Sequence, residues 1–247
     1  MKAKQIIEII EKHYPLSMQE EWDKCGLQIG NKGQDVHKIM IALNADNDTL
    51  NEAIEKGCDM LITHHPFLLE PIVNIDKDDY MGQFIYNAIL NHVVVYSSHT
   101  ALDRVSMNKW LLEELGVSHI QNGVDGITHF ASLNQAMSMQ DFINHVQHVY
   151  GLEHFKYAGQ VDEVKTVAIC GGSGADFLPD YYNKVDAYIT GDTKYRHAKN
   201  AVDHHILLID VNHHIENIMV SKLKELLEKE VNVEIVEGSS PDYYHYL

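Results

Sequence analysis

The stretch Leu61-Ile62-Thr63-His64-His65-Pro66-Phe67 joins an apolar run to two adjacent histidines. The run from Cys58 to Thr63 is short, apolar and bounded by turn-forming residues, which predicts a strand buried inside a parallel sheet. Both histidines follow the end of that strand. Because open α/β sheets bind ligands at the carboxyl ends of their strands, the stretch predicts an α/β fold with a functional site at His64 and His65.

Two further predicted strands, Val93–Tyr96 and Ile206–Asp210, also run directly into histidines and carboxylates. The residues that follow the three strand ends are, in chain order, His64, His65, His99, Asp103, His213 and Glu216. Residues three apart on a helix share a face, so His213 and Glu216 can point at one centre. The sequence therefore predicts that these side chains form a metal site.

The predicted ligands offer nitrogen and oxygen but no sulfur. This donor set suits borderline divalent ions, namely Zn, Mn, Fe, Co or Ni. Five or six protein ligands are more than one ion needs, whereas two ions bridged by carboxylates would use them all. Such a pair would also acidify a shared water near neutral pH. We therefore expect a dinuclear centre with two divalent ions per subunit.

Each element of this site also has a purely structural interpretation. Adjacent histidines on an extended chain project in different directions and need not share a ligand. Asp103 can serve as the N-cap of the helix after it, and Glu216 as a first-turn carboxylate favoured by the helix dipole. The glycine-rich loop 171–174 is either an anion-binding turn or an ordinary turn. A second histidine pair, His204 and His205, precedes a strand instead of following one, and we predict that it lies on the surface.

Periodicity predicts alternating helices and strands along the whole chain. The helices are expected at residues 4–13, 48–56, 80–91, 108–115, 138–150, 194–201 and 213–230, with a short one after Ser17. The strands are expected at 37–43, 59–63, 93–96, 126–133, 164–170, 186–190, 206–210 and 231–236, with a short one in 22–30. The tyrosine-rich tail Pro241–Leu247 is expected either to pack on a neighbour or to be mobile.

Composition limits the class of protein. The 247 residues, 45% of them hydrophobic, can form one large domain or two small interlocked ones. No apolar run is long enough to span a bilayer, and the N-terminus lacks the apolar core of a signal peptide. Three widely spaced cysteines form no disulfide framework, so we expect a cytoplasmic protein. The net charge of −17 argues against a nucleic-acid-binding surface.

Six motifs together resemble the signatures of the NIF-three-like family, whose bacterial members are usually named GTP cyclohydrolase 1 type 2 homologues. In order and spacing they are Trp22–Gly30, Thr63–Pro66, His99–Asp103, Gly171–Gly174, Thr190–Asp192 and Asp210–Glu216. The chain is similar to the short form of the family, which lacks a domain that longer members insert between the halves. The chain departs from the family pattern at two positions. Ala101 stands where the family often has Asn, and Asn212 stands where it usually has Gly. Asn tolerates the left-handed backbone that Gly allows better than most residues do.

The resemblance implies two interlocked α/β halves with mixed sheets. Residues 1–125 would carry the HHP and HTALD motifs, and residues 126–247 the GGSG, TGD and HHIE motifs. The implied ligands of two divalent ions are His64, His65, Asp103, His213 and Glu216, with the two carboxylates as bridges. His99 would lie beside the ions, either as a group that supports their ligands or as a proton-transfer group. The resemblance also implies a toroidal homohexamer.

Three functions are compatible with this sequence. The first is a metal-dependent hydrolase with a small-molecule substrate, since the family name implies hydrolytic opening of the guanine ring of GTP. The second is a non-catalytic metal-binding protein for metal buffering, delivery or regulation. The third is a scaffold that acts through partners, suggested by the acidic composition and the tyrosine-rich tail.

Overall fold

A computed structural model of the chain describes residues 1–245, which form two compact units. The first unit comprises Met1–Leu102 and Asn217–Tyr243, and the second comprises Asp103–Glu216 and the described residues after Tyr243. The halves expected at 1–125 and 126–247 remain a prediction of domain organisation. The compact units differ from them because the segment from Asn217 returns to the first unit, where its strand pairs with the first sheet.

Helices and strands alternate through most of the described chain. The α-helices are α1 (Ala3–His13), α2 (Asn47–Glu55), α3 (Tyr80–Leu90), α4 (Thr100–Leu102), α5 (Asn108–Glu114), α6 (Met139–Val149), α7 (Tyr195–Asp203) and α8 (Ile218–Leu227). The strands are β1 (Gly26–Ile29), β2 (Lys38–Ala42), β3 (Met60–Thr63), β4 (Val94–Ser97), β5 (Val117–Asn122), β6 (His129–Ser138), β7 (Lys156–Ala158), β8 (Glu163–Ile169), β9 (Ala187–Thr190), β10 (Leu207–Asp210) and β11 (Glu234–Glu237). A π-helical turn covers Asp103–Met107, and 3-10 turns cover Leu16–Met18, Gly174–Tyr181 and His213–Asn217.

The sheet of the first unit has the strand order β1-β4-β3-β2-β11. β3 pairs in parallel with β2 on one side and β4 on the other, and all four of its residues are buried, as expected for the centre of a parallel sheet. Thr63 lies opposite Ser97 in this register, and their hydroxyl oxygens are 2.8 Å apart. The chain segments after Thr63 and Ser97 therefore leave the sheet side by side.

The second unit contains the sheet β5-β6-β8-β9-β10-β7. β8, β9 and β10 are parallel, whereas β5, β6 and β7 pair antiparallel with their neighbours. The predicted α/β fold with mixed sheets is therefore confirmed. None of the described helices is long and apolar enough to cross a membrane.

Some element boundaries differ from those that the sequence predicts, for physical reasons. β5 and β7 were not expected, because β5 has no fully buried residue and β7 has only three residues. The helix expected at 213–230 is a 3-10 turn followed by α8, which ends at Leu227. Ser138 caps α6, since its side chain accepts a hydrogen bond from Asp141 N.

Gly159 lies close to Ile206, the residue before β10, and this contact gives a first prediction. Gly159 has a φ of +86°, and a Cβ there would lie 1.9 Å from the carbonyl oxygen of Ile206. We expect Gly159→Ala to lower the free energy of unfolding by about 2–4 kcal/mol, combining left-handed backbone strain with overpacking. Denaturant unfolding followed by circular dichroism measures this change.

Gly151→Ala is the matched control in the same unit. Gly151 has a φ of +62°, but a Cβ added there would have no described atom within 4 Å outside its immediate chain neighbours. Gly151→Ala should therefore lower the free energy of unfolding only through left-handed backbone strain, by about 1–2 kcal/mol. An equal loss in both variants would contradict the assignment of a steric role to Gly159.

Candidate metal centre

Three histidines form a cluster at the carboxyl ends of β3 and β4 in the first unit. His64 and His65 follow β3 directly, and His99 follows β4 by two residues. Each offers a ring nitrogen, and these three nitrogens lie within 4.8 Å of one another. His64 is fully buried, whereas His65 and His99 are partly exposed. The parallel register of the two strands is what brings them together.

Each histidine of this cluster is held through its Nδ1 atom by an oxygen. His64 Nδ1 is 3.0 Å from the carbonyl oxygen of Ser98, and His65 Nδ1 is 2.6 Å from Asn44 Oδ1. His99 Nδ1 is 2.9 Å from Asp23 Oδ1. Because a carbonyl or carboxylate oxygen accepts, Nδ1 carries the proton and donates it. The neutral ring then presents the lone pair of Nε2, which is the atom that can bind a metal.

Asp23 contacts the histidine cluster, and nothing in the sequence pattern singled it out. Its carboxylate is 2% exposed and accepts hydrogen bonds from His99 Nδ1, from Thr100 N at 3.0 Å and from the Thr100 hydroxyl. Burial alone would raise the pKa of Asp23, but its hydrogen bonds, above all those from His99 and Thr100, outweigh burial and lower that pKa. Asp23 therefore stays ionised and fixes the ring of His99.

Cys25 lies beside the same carboxylate but does not extend the donor set. Its Sγ is 3.1 Å from Asp23 Oδ2 and accepts a hydrogen bond from His99 N. Burial raises the pKa of the Cys25 thiol to about 12. The sulfur is therefore a protonated thiol near neutral pH, in agreement with a site built from nitrogen and oxygen donors.

A second cluster, in the second unit, combines His213 with the carboxylates of Asp103 and Glu216. His213 Nε2 is 3.0 Å from Glu216 Oε2, and the ligand oxygens of the two carboxylates lie within 4.8 Å of each other. Both carboxylates are buried, at 9% exposure for Asp103 and 4% for Glu216. His213 repeats the pattern of the first cluster, because its Nδ1 is 2.6 Å from Asp192 Oδ2.

The electrostatics of this cluster favour a positive charge at its centre. The hydrogen bond to Glu216 raises the pKa of His213 to about 10, with a further contribution from Asp192 and against the opposing effect of burial. Two buried carboxylates without a cation would repel each other. A proton on His213, or a metal ion in its place, is the charge that this arrangement stabilises.

The buried carboxylate of Asp210 holds the two loops that carry His213 and its hydrogen-bond partner Asp192. Asp210 Oδ2 accepts from Thr193 N at 2.8 Å, and Asp210 Oδ1 accepts from Asn212 N at 3.1 Å. Asp192 and Asn212 both adopt left-handed backbone, with φ of 50° and 67°. The conformation that we anticipated for Asn212, one that Gly would also adopt, is therefore present. Strained backbone of this kind persists only where the surrounding structure enforces it.

The N-cap alternative for Asp103 does not account for its position, whereas Glu216 does lie in a first helical turn. α4 begins at Thr100, so Asp103 lies inside a helical segment and is not an N-cap. Glu216 lies in the 3-10 turn ahead of α8. Its Oε1 would be 2.2 Å from a Cβ at Gly172, which has a φ of +58°. The loop 171–174 therefore makes room for the Glu216 carboxylate.

A cavity of about 690 Å³ opens beside His213 in the second unit. Its walls include the aromatic rings of Phe155 and Tyr244, and the polar side chains of Lys156 and Asn212. Lys156 Nζ is 3.1 Å from Asp210 Oδ2, so the lysine charge is neutralised within the wall. Such a mixed apolar and polar cavity is typical of small-molecule sites.

The structure thus places the six predicted site residues in two clusters, one in each unit. His64, His65 and His99 lie together in the first, and Asp103, His213 and Glu216 in the second. The control pair, His204 and His205, is exposed as expected. The donors fit a divalent ion of the borderline class, since they are imidazole nitrogens of fixed tautomer and buried carboxylates.

Curated relatives of similar length match almost the whole chain. One, from Clostridium acetobutylicum, is 34% identical over 225 residues and covers 86% of this chain and 84% of its own. Another, from Clostridium perfringens, is 33% identical and covers 100% of both chains. Both carry the name GTP cyclohydrolase 1 type 2 homolog.

Solved structures share the fold. A hypothetical protein from Staphylococcus aureus matches with a TM-score of 0.92 at 24% identity, covering 100% of this chain and 99% of its own. Reduced HcgD from Methanocaldococcus jannaschii matches with a TM-score of 0.86 at 27% identity, covering 96% and 97%. The family profile described as Duf34/NIF3 (NGG1p interacting factor 3) matches residues 1–242. As the resemblance of its motifs predicts, the chain belongs to the Duf34/NIF3 family.

Proposed function

We propose that this protein binds two divalent metal ions and acts as a metal-dependent hydrolase. The ligands in this proposal are His64, His65, Asp103, His213 and Glu216, with the two carboxylates as bridges. That one centre takes ligands from both clusters follows from the family resemblance and is part of the proposal. Zn, Fe, Mn, Co and Ni all suit the donor set.

One observation carries the proposal. Each of the three proposed histidine ligands donates Nδ1–H to an oxygen, from Ser98, Asn44 or Asp192. Histidines that bind metals almost always donate their other ring nitrogen in this way, which fixes the tautomer and raises the basicity of the ligand. A buried histidine can make such a bond without a metal, as His129 Nδ1 does to Ile127 O at 2.9 Å. Three histidines oriented in this way, each beside other nitrogen or oxygen donors, nevertheless support a metal site.

The reaction class follows from what surrounds the proposed ligands. Divalent ions held there would supply Lewis acidity and a water activated for attack on an electrophilic carbon or phosphorus. His99 lies within the histidine cluster and is oriented by the ionised carboxylate of Asp23. A carboxylate–histidine pair of this kind can accept a proton from water and return it to a leaving group. We therefore assign proton transfer to His99 and its positioning to Asp23.

A small molecule is the substrate class that we infer. The cavity beside His213 is large enough for one, and its aromatic walls suit a flat ring. Relatives carry a name that refers to GTP, so a nucleotide is the first class to screen. Assembly into a toroidal homohexamer, which the resemblance implies, remains a prediction.

A non-catalytic role in metal buffering, delivery or regulation is the alternative. It requires a coordination sphere filled by protein and readily exchangeable metal. Broad screening of the metal-loaded protein against nucleotides and phosphoesters separates the two functions. Turnover that falls in His99→Ala while the metal stays bound supports the hydrolase, whereas absence of any turnover favours the alternative.

Metal content tests the ligand assignment. Elemental analysis should find about two ions per subunit in the parent and few in the double variant His64→Ala, Asp103→Ala, because one nitrogen and one bridging oxygen are lost together. The double variant His148→Ala, Asp162→Ala is the control, since both residues are exposed. Two ions in the site variant, or none in the parent after reloading with Zn, Mn or Fe, would contradict the assignment.

Glu216→Gln tests the bridging role of that carboxylate. The substitution keeps the shape of the side chain but removes an anionic ligand, so we expect the second ion to be lost and about one ion per subunit to remain. Glu225→Gln, at an exposed position of α8, should retain both ions. Full occupancy in Glu216→Gln would show that Glu216 is not a bridge.

A further inference from the structure

The C-terminal segment Gly238–Tyr243 lies along the end of β2, next to the strand that carries His64 and His65. Gly238 N donates to Ile41 O at 2.8 Å, and Leu43 N donates to Ser240 Oγ at 2.9 Å. Ser239 N donates to Glu52 Oε2 at 2.8 Å. These contacts hold the segment in place up to Tyr243. The last residues of the predicted tail, 246 and 247, lie outside the described part of the chain.

The end of β2 in turn supports the metal-site histidines. The backbone N–H groups of His64 and His65 both donate to Leu43 O, at 3.1 and 3.0 Å. The next residue, Asn44, accepts the Nδ1–H of His65 through its Oδ1 at 2.6 Å. Asn44 is therefore the side chain that sets the tautomer of His65.

Tyr243 connects Asn44 to a fixed negative charge. Its hydroxyl donates to Asp46 Oδ2, so its oxygen is left to accept, and Asn44 Nδ2 lies 3.5 Å from it. The other oxygen of Asp46 caps α2 by accepting from Thr49 N at 2.7 Å. Donors and acceptors thus run in one direction, from His65 through Asn44 and Tyr243 to the Asp46 carboxylate.

This direction matters because an asparagine amide has two orientations. With Nδ2 toward the Tyr243 oxygen, Oδ1 faces His65 and the imidazole keeps its proton on Nδ1. In the reversed orientation an N–H group would face His65 Nδ1, which would favour the opposite tautomer and protonate Nε2. A chain of hydrogen bonds that ends on an anion also polarises its members and makes the imidazole a stronger donor to a metal.

We propose that the C-terminal segment is a positioning element of the metal centre, in which Tyr243 orients Asn44 and Asn44 holds His65 as an Nε2 ligand. This inference rests on the proposed metal centre. It gives the tyrosine-rich tail a role within its own chain, where the sequence left its function open.

Co²⁺ titration followed by visible absorption tests the proposal. We expect Asn44→Leu to weaken binding by about 10–100-fold, because it removes the hydrogen bond to a ligand. Tyr243→Phe should weaken Co²⁺ binding by roughly tenfold, at the lower end of this range, since it acts one step further away. Tyr195→Phe is the matched control, because Tyr195 is 88% exposed, and it should bind like the parent.

The Asn44→Asp background distinguishes orientation from general support of the fold. A carboxylate has no amide to reverse, so Asn44→Asp should bind Co²⁺ at least as tightly as the parent. Adding Tyr243→Phe to this variant should then change the Co²⁺ affinity by less than about twofold. Removing the hydrogen-bond partner of a metal ligand typically changes the affinity by about tenfold or more. The same loss in both backgrounds, or no loss in Tyr243→Phe alone, would overturn the proposal.

The parent titration separates failure of this inference from failure of the metal centre. Absence of Co²⁺ binding to the parent would overturn the metal centre and this inference together. Binding to the parent with unchanged affinity in Tyr243→Phe would overturn only the role of the segment. Thermal unfolding of the metal-free variants gives an independent readout, and we expect Tyr243→Phe and the parent to unfold at similar temperatures, because the tested role lies in ligand orientation.

Discussion

The hydrogen bond between Nδ1 of a histidine and an oxygen acceptor is the constraint on which the candidate site depends. It recurs at His64, His65, His99 and His213, and the acceptor is different each time: a backbone carbonyl, an amide and two carboxylates. In the first cluster Nε2 is then the nitrogen that can bind a metal or move a proton, whereas Nε2 of His213 lies 3.0 Å from Glu216 Oε2.

Other residues hold these acceptors and the site side chains in place. Their positions account for several local features that lower stability. Asp192 and Asn212 adopt left-handed backbone in the loops that carry one acceptor and one histidine, and buried Asp210 holds both loops. Gly172 leaves the space that the Glu216 carboxylate fills. Each feature costs stability by itself, and each is accounted for by the position of a side chain in the site.

The sequence predicted the residues of the two clusters better than it predicted the residues that support them. An apolar run followed by a histidine is a local signal, and parallel pairing of β3 with β4 then brings His64 and His99 together. Asp23 lies 76 residues from His99 along the chain, and no periodicity relates the two. Asn44 and Tyr243 are separated by 199 residues, so their contact depends on how β11 returns to the first sheet. The polar strand β5 and the short strand β7 likewise lack an apolar pattern.

The central claim is that the metal ligands are Nε2 atoms of histidines protonated at Nδ1. Heteronuclear NMR of isotope-labelled histidine side chains in the Zn²⁺-loaded protein tests it most directly. We expect His64, His65 and His213 to carry a proton on Nδ1 and to show a metal-induced shift at Nε2. A proton on Nε2 of these residues, or ring signals that do not change when Zn²⁺ is added, would contradict it.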